Sequence, residues 1–330
     1  MSSPTPLTDS TIQRFNGSRP RLPEWLRIKL PTSDSFAQTR NLLGELKLHT
    51  VCESAQCPNH WECWEKGTAT FMIAGDRCTR ACGFCAISTA KPLALEADEP
   101  LRVAEAACRM KLKHVVITAV ARDDLKDGGA EHFRQTIEKV RELNPRIVIE
   151  VLVPDFNESD ASIKNVLAAN PHIFNHNLET VRRLTPEVRH RATYDRSLAV
   201  LKKVKQITSV AASRQSAANL DFSEKCGGLP TVATTHSIHT KSGIMLGLGE
   251  REEEVLTAME DLRAAGCDIL TLGQYLQPSL KHLPVIEFVT PEKFSEYKVR
   301  AEEMGFVHVA SGPMVRSSYH ADEFTLPAGK

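Results

Sequence analysis

The sequence predicts an α/β fold, a partial (β/α)6 TIM-like barrel with an extension at each end. Two observations support this prediction. From Phe71 onward, short apolar runs rich in β-branched residues alternate with segments of helical periodicity. Six such units follow one another, which indicates a parallel sheet with helices outside it. Eight units would close a barrel, whereas six leave an open one whose mouth can admit a large substrate.

The individual elements follow from the same pattern. Strands are predicted at six apolar runs, residues 71–74, 114–120, 147–153, 172–175, 244–248 and 269–272. Helices are predicted at residues 101–111, 130–143, 159–169, 194–206, 252–265 and 291–304. Start signals support two of them, since Ser159 precedes Asp160 in a first turn and Pro291 opens the last helix. Because chemistry gathers at the carboxyl ends of parallel strands, we expect the functional residues directly after these runs.

The chain divides into four parts around this barrel. Residues 1–44 form a tail and an arm with a short helix at 35–46, and residues 45–67 form a cysteine-rich segment. The barrel covers residues 68–304, and a C-terminal segment covers residues 305–330. Residues 207–237 are small, polar and aperiodic, so we predict a surface insertion between the fourth helix and the fifth strand.

Bulk composition excludes several classes of partner. The 41 basic and 41 acidic residues balance, so no global field attracts nucleic acid or an anionic membrane. No apolar run approaches the roughly 18 residues of a membrane helix. The Ser-, Thr- and Pro-rich N-terminus resembles neither a signal segment nor, with its few arginines, a strong transit peptide. Nine cysteines fit a reducing compartment with metal ligands, so we expect a cytoplasmic protein.

Three cysteines follow the first predicted strand within eight positions. Cys78, Cys82 and Cys85 are spaced C-x3-C-x2-C in a loop. Three thiolates are one short of the four that close a zinc site or a cubane cluster. A site that leaves one metal position open can bind a substrate or cofactor there. The alternative is a zinc knuckle whose fourth ligand is not visible in the sequence.

A second trio, Cys52, Cys57 and Cys63, precedes the barrel with the spacing C-x4-C-x5-C. It is also expected in a loop, broken by Pro58, and it could merge with the first trio or hold its own cluster. A structural zinc site completed by His49 or His60 is the alternative. The remaining thiols, those of Cys108, Cys226 and Cys267, are assigned no role in a site.

The first trio, with Phe84 directly before its last cysteine, resembles the cluster motif of the radical S-adenosylmethionine superfamily. The resemblance implies a [4Fe-4S] cluster on Cys78, Cys82 and Cys85 whose open iron binds S-adenosylmethionine and cleaves it to a radical. It also implies cofactor contacts after the strands, at Phe84, Asp124, Gly128, Gly129, Asn175 and Arg189. The glycines following residue 242 resemble further backbone contacts. On the residues alone, the paired glycines could equally form a plain tight turn.

Three separated motifs resemble the lipoyl synthase family within that superfamily. They are the second cysteine trio, the Gly-Gln-Tyr-Leu-Gln-Pro-Ser sequence at residues 273–279, and Arg-Ser-Ser-Tyr-His-Ala at residues 316–321. The resemblance implies that Cys52, Cys57, Cys63 and Ser318 hold an auxiliary [4Fe-4S] cluster, with Ser317 as the alternative ligand. Serine oxygen suits iron less well than thiolate, and a weak ligand makes a cluster easier to dismantle.

The implied reaction inserts two sulfur atoms, at carbons 6 and 8, into an octanoyl group carried on a protein lysine. The auxiliary cluster would donate the sulfur. The implied partners are octanoylated lipoyl domains of 2-oxoacid dehydrogenase E2 subunits, the glycine-cleavage H protein, and ferredoxin or flavodoxin as electron donor. A basic run that includes Arg182, Arg183 and Lys202 could meet an acidic carrier, although solvated helix charge explains it as well.

Two other function classes remain open at this level. One is a related radical enzyme with another acceptor, such as a methylthiotransferase, which normally brings an RNA-binding module that this sequence lacks. The other is a non-enzymatic scaffold stapled by metal. Iron and sulfide analysis separates the scaffold from the enzymes.

Overall fold

One sheet with seven parallel strands organises the molecule. The structure is a computed structural model that describes residues 21–27, 34–55, 57, 59–65, 70–226 and 237–318. The strands are β1 (His49–Thr50), β2 (Thr70–Ile73), β3 (Arg77–Cys78), β4 (Ser88–Thr89), β5 (His114–Ala119), β6 (Val148–Leu152), β7 (Ile173–Asn175), β8 (His239–Leu246), β9 (Ile269–Gln274) and β10 (His308–Gly312). The main sheet has the order β1-β2-β5-β6-β7-β8-β9-β10, and β3 pairs separately with β4.

The sheet is an open barrel. Every neighbouring pair from β2 to β10 is parallel, and β1 adds to β2 in the antiparallel direction. The edges are therefore β1 and β10, at the two ends of the strand order. The prediction of an α/β fold with a partial barrel is confirmed. A short seventh parallel strand, β10, extends the six predicted β–α units.

Helices cover the outside of the sheet. They are α1 (Asp34–Glu45), α2 (Val51–Ser54), α3 (His60–Glu65), α4 (Glu99–Arg109), α5 (Ala130–Leu143), α6 (Asp160–Ala168), α7 (Thr185–Val188), α8 (Tyr194–Cys226), α9 (Glu252–Ala264) and α10 (Pro291–Glu303), with 3-10 turns at Glu24–Leu26 and Phe156–Glu158. Two apolar cores fill the space between sheet and helices. One contains Phe133 and Ile149, and the other contains Leu270 and Phe294. No helix within the described ranges is long and apolar enough to cross a membrane.

Two sequence-based predictions about helices are wrong. The fourth helix was expected to end at residue 206, but α8 continues to Cys226, and residues 227–236 lie outside the described part. The surface insertion at residues 207–237 stays a prediction. Val204 is fully buried whereas Val210 is half exposed, so packing no longer imposes an apolar period from there. Cys52 and Cys63 were expected in a loop, yet they lie in α2 and α3. These helices are too short to show a period in the sequence.

A buried ion pair lies on the inner face of the sheet. The ammonium of Lys241 on β8 is 2.9 Å from the carboxylate of Glu150 on β6, and the amide of Asn175 donates to the same carboxylate at 2.9 Å. Burial alone would raise the pKa of Glu150, but the charges of Lys241 and His114 lower it to about 2. These inward polar residues explain why β8 begins at His239, five residues before the apolar run that predicted it.

Candidate functional site

A cavity of about 670 Å³ opens at the carboxyl ends of the strands. Both groups of cysteines face it: Cys78, Cys82 and Cys85 line one part, and Cys52 and Cys57 line another. Apolar side chains line the same cavity, among them Met72, Ala119, Leu152, Ile244, Met245 and Phe288. The first trio and two thiols of the second, separate in the sequence, are therefore brought to the wall of one largely apolar cavity.

The loop that carries the first trio is held by backbone contacts. The amide of Gly83 donates to the carbonyl of Val188 at 3.0 Å, and the amide of Leu283 donates to the carbonyl of Gly83 at 3.0 Å. The ring Nε2 of His282 lies 3.0 Å from the carbonyl of Cys85. A Cβ at Gly83 would stand 2.9 Å from the Leu283 side chain, which would have to shift to admit it.

Arg80, inside the cysteine loop, is the main electrostatic anchor. Its guanidinium bonds Asp123, after β5, and Asp155, after β6, each at 2.7 Å. Burial would lower the pKa of Arg80, but hydrogen bonds and charge from both aspartates raise it. The side chain of Arg80 is 6% exposed, because two carboxylates from neighbouring strand ends compensate the charge.

Burial disfavours the anions of four thiols and raises their pKa, those of Cys52, Cys57, Cys82 and Cys85. Burial, with smaller contributions from Cys82 and Cys78, raises the pKa of Cys85 to about 12. Burial also raises the pKa of Cys52 to about 11, with Cys57 adding to the rise. Without a metal these thiols hold their protons, so binding of iron must displace them.

The C-terminal segment lies directly against the second trio. The amide of Asn59 donates to the carbonyl of Met314 at 2.6 Å, and the hydroxyl of Thr70 donates to that of Ser318 at 2.8 Å. A Cβ at Gly273 on β9 would stand 2.0 Å from the carbonyl oxygen of Val315. Glycine in this strand therefore makes room for the segment that delivers the serines.

Both serines of that segment line the cavity, in different surroundings. Ser318 bonds Thr70 on β2, whereas Ser317 accepts a hydrogen bond from the amide of Asn177 at 2.7 Å. Tyr319 lies outside the described residues. Cys63 packs against the apolar core from α3, and it is not among the residues that line the cavity.

Arg316 brings a positive charge beside the second trio. Burial lowers the pKa of Arg316, and the Cys57 thiolate opposes that shift. The guanidinium donates to the carbonyl of Val315 at 2.6 Å, and no carboxylate within the described ranges forms an ion pair with it. A cluster held by thiolates is an anionic group that this charge would offset.

A buried acid and base face each other near Cys82. Burial raises the pKa of Glu179 and lowers that of Arg189, and the charge of each opposes the shift of the other. Both residues line the cavity, as do Phe84 and Asn177. The carboxamide oxygen of Asn177 is buried without a hydrogen-bond partner in the described structure. Arg189 and Phe84 were predicted as cofactor contacts, and that role stays a prediction, whereas Glu179 and Asn177 were not singled out in the sequence.

Four predicted cofactor contacts lie away from the cavity wall. The side-chain amide of Asn175 donates a hydrogen bond to buried Glu150, and Asn175 does not line the cavity. Asn177, two residues further along the chain, lines the cavity instead. Asp124 forms a two-pronged pair with Arg122. Gly128 borders a separate cavity of about 140 Å³, and Gly129 caps the start of α5. Both glycines have positive φ, of 64° and 89°, so they satisfy the turn.

The donor set of the cavity suits iron–sulfur clusters, because thiolates are the usual ligands of a cubane. Among the described residues, no three His, Cys, Asp or Glu side chains converge where one metal ion would bind. The buried sulfurs on the shared cavity and the charge of Arg316 suit two iron–sulfur clusters. The unpaired amide oxygen of Asn177 suits a polar cofactor.

Comparison with known proteins agrees with this geometry. Residues 72–212 match the family model of the radical SAM superfamily, and residues 3–57 match the model described as the N-terminal domain of lipoyl synthase. Among solved structures, methylornithine synthase is similar with a TM-score of 0.50 at 12% identity, covering 89% of each chain. A Streptococcus suis SuiB structure bound to S-adenosylmethionine has a TM-score of 0.51 at 10% identity, covering 76% of this chain and 53% of that one. These two likenesses support the fold.

The sequence relatives are much closer. The lipoyl synthase of Flavobacterium psychrophilum is 49% identical over 92% of this chain and 95% of its own length. That of Shouchella clausii is 51% identical over 92% of this chain and 90% of its own. That of Chlorobium limicola is 48% identical over 94% of this chain and 97% of its own. With this identity over nearly the whole length, and with both cysteine groups on one cavity, the chain belongs to the lipoyl synthase family of the radical SAM superfamily.

Proposed function

We propose that this chain inserts two sulfur atoms, at carbons 6 and 8, into an octanoyl group attached to a lysine of a carrier protein. One observation carries the proposal: both cysteine groups face one cavity of about 670 Å³ with an apolar wall. When bound, the first cluster with S-adenosylmethionine supplies the radical that removes hydrogen, and the auxiliary cluster supplies the sulfur. A saturated chain needs such a cofactor, because no acid–base side chain activates a methylene.

The residues of the first site would hold S-adenosylmethionine by charge and shape. Cys78, Cys82 and Cys85 would ligate the cluster. Glu179 and Arg189 offer opposite charges to a ligand that is itself zwitterionic, and their burial strengthens both interactions. The unpaired carboxamide oxygen of Asn177 is ready to accept a hydrogen bond from the same ligand. Phe84 lines the cavity beside these groups.

The auxiliary site would be completed by the C-terminal segment. We assign its ligands to Cys52, Cys57, Cys63 and Ser318. Support for Ser318 over Ser317 comes from its contact with Thr70, whose backbone also acts on the thiol of Cys52, whereas Ser317 is bonded to Asn177. Cys63 would turn inward from α3 to join them. A harder, weaker oxygen ligand makes this cluster the easier one to dismantle.

The apolar wall has a definite part in the reaction. Side chains such as Met72, Leu152 and Ile244 would pack along the octanoyl chain and exclude water. Excluding water protects a reactive radical, and holding the chain near the cofactor lowers the entropic part of the barrier. We also propose E2 lipoyl domains and the glycine-cleavage H protein as carriers, ferredoxin or flavodoxin as electron donor, and the cytoplasm as the location.

Two cysteine variants test the proposal. Anaerobically reconstituted protein should bind about eight iron atoms, and Cys78→Ala and Cys52→Ala should each lose about four. Given dithionite, S-adenosylmethionine and an octanoyl-lysyl peptide, Cys78→Ala should cleave no S-adenosylmethionine. Cys52→Ala should still cleave it but yield no thiolated peptide by mass spectrometry.

The matched control is Cys108→Ser, which changes an exposed thiol on α4. It should keep the iron content and the product yield of the unaltered protein. Thiolated peptide from Cys52→Ala in the unaltered yield would refute the proposed sulfur donor. Full iron in both alanine variants would refute the cluster assignment.

A further inference from the structure

Residues 275–283, here called the strap, join the cavity wall to the first cysteine loop. They follow β9 and contain most of the motif at residues 273–279. The strap begins on the cavity wall, which it lines with Leu276, Gln277 and Pro278. It ends on the cysteine loop, where the carbonyls of Gly83 and Cys85 accept hydrogen bonds from it.

The ring of His282, near the end of the strap, is held at both nitrogens. Its Nε2 lies 3.0 Å from the carbonyl oxygen of Cys85, and its Nδ1 lies 2.8 Å from the hydroxyl of Ser279. A carbonyl oxygen can only accept, so Nε2 carries a proton and donates to Cys85. Nδ1 can then accept the hydroxyl proton of Ser279, whose oxygen accepts from the amide of Lys281 at 3.3 Å. The serine thus sets the orientation of the ring and the nitrogen that donates.

Side chains within the strap keep His282 in place. The side-chain amide of Gln277 donates to the His282 carbonyl at 2.9 Å, and the hydroxyl of Tyr275 donates to the Leu283 carbonyl at 2.8 Å. Because Gln277 also lines the cavity, a short series of contacts runs from the cavity wall through Gln277 and His282 to Cys85.

We propose that His282 is a positioning residue of the first site, which fixes Cys85 through its backbone carbonyl and links it to the cavity wall. The inference rests on the proposed function, because it requires Cys85 to hold the first cluster. Groups around a metal ligand fix its orientation, and their removal usually weakens metal binding. The donor on the Cys85 carbonyl limits rotation of the peptide that follows, so the sulfur keeps one position. A substrate packed against Gln277 steadies the same loop.

Two substitutions at His282 test the role. Both are made in the Cys52→Ala chain, which on the proposed function keeps only the first cluster. His282→Gln keeps an N–H group that can reach the Cys85 carbonyl, whereas His282→Leu keeps bulk and removes the donor. Iron release to a chelator should be about tenfold faster in His282→Leu than in the Cys52→Ala parent, and His282→Gln should restore most of the difference.

The matched control is Lys281→Ala, which changes an exposed side chain in the same turn and should leave the release rate unchanged. Equal rates in His282→Leu and the parent would overturn the inference. A rate in His282→Gln as fast as that in His282→Leu would overturn it as well, because the donor would then have no part in the effect.

Two further measurements report on the site rather than on packing. The electron paramagnetic resonance spectrum of the reduced cluster should broaden in His282→Leu, because the Cys85 sulfur takes several positions, and should stay narrow in His282→Gln. Octanoyl-lysyl peptide, added without S-adenosylmethionine, should slow iron release in the parent and have less effect in His282→Leu. Identical spectra, or an equal effect of the peptide, would refute the role.

Iron content separates failure of this role from failure of the proposed function. If Cys78→Ala retains all its iron, the cluster assignment is wrong and the proposed function fails. If Cys78→Ala loses about four iron atoms while His282→Leu behaves like its parent, only the role of His282 fails. Should His282→Leu not fold, Ser279→Ala decides, because it removes the hydroxyl that orients the ring. It should speed iron release severalfold, and an unchanged rate would overturn the inference.

Discussion

At the scale of single residues, buried charges and an unpaired buried acceptor determine what the cavity can bind. Arg80 is compensated by Asp123 and Asp155, and Lys241 by Glu150, so these charges serve the fold. Asn177 instead keeps a buried oxygen without a partner in the described structure. Groups whose bonding is complete hold the scaffold, and the incomplete one at the cavity wall marks a place for a ligand.

His176 gives the fold a measurable dependence on pH. Its ring is buried, with Nδ1 2.9 Å from the Val153 carbonyl and Nε2 3.1 Å from the Ser197 hydroxyl. Burial first, and then the charge of Arg189, lowers the pKa of His176 from 6.5 to about 4. The unfolded chain therefore binds a proton that the folded chain excludes. The associated stability is complete above pH 6.5 and is lost as pH falls toward 4.

We expect His176→Gln to reduce this dependence. Between pH 7 and pH 5 the apo protein should lose about 2 kcal/mol of unfolding free energy through His176, and the variant should lose correspondingly less. Urea denaturation at the two pH values measures the difference. The control His49→Gln, at an exposed position, should retain the parental dependence. Equal losses in His176→Gln and the parent would contradict the assignment.

Residue types and spacing singled out the two cysteine groups as candidate ligands. They could not predict which other side chains lie beside these cysteines in the folded chain. Asn175 and Asn177 both occur after a strand, and only the depth of Glu150 in the sheet decides which one reaches the cavity. Glu179 gains its significance from its burial on the cavity wall beside Arg189. A lone acid in a sequence carries no such signal.

At the scale of elements, the helices and strands that face an apolar core were the predictable ones. Helix α5 has the predicted bounds, because its period is imposed by burial along its whole length. The beginning of β8 was not predicted, because its inward residues there are polar. The continuation of α8 was not predicted either, because the helix is already exposed at Ser209 and Val210 and shows no apolar period there. In the C-terminal segment only the sequence motif could be recognised. The path of this segment along β9 depends on tertiary packing, which the sequence does not show.

Gly273 and Gly312 offer a matched test of that course. They are paired in register on β9 and β10. A Cβ at Gly273 would stand 2.0 Å from the Val315 carbonyl oxygen, whereas one at Gly312 would meet the Val315 side chain at an ordinary 3.5 Å. Gly273→Ala should therefore displace the segment that carries Ser318. We expect it to cost about 1–3 kcal/mol and to lose the auxiliary iron.

Gly312→Ala should keep both stability and iron. Iron analysis after reconstitution, together with thermal unfolding, compares the two variants. If Gly273→Ala bound as much iron as Gly312→Ala, the C-terminal segment would not be needed to complete the auxiliary site.

At the scale of the whole molecule, the open barrel brings together groups that are far apart in sequence. The second cysteine group enters through α2 and α3, the first follows β2, and the serines arrive after β10. All three meet at the carboxyl ends of the parallel strands, where the sequence predicted that chemistry would gather. The alternation of strands and helices was enough to predict that the site lies at this end of the barrel. It could not predict that both cysteine groups share one cavity, because this depends on how the N-terminal and C-terminal extensions pack.

The central claim is that two iron–sulfur clusters face one cavity across the substrate. Anomalous diffraction at the iron edge, from anaerobically reconstituted crystals, tests it most directly. The account predicts two separate iron peaks, one beside Cys78, Cys82 and Cys85 and one beside Cys52, Cys57, Cys63 and Ser318. A single peak, or two peaks on walls that do not share the cavity, would contradict it.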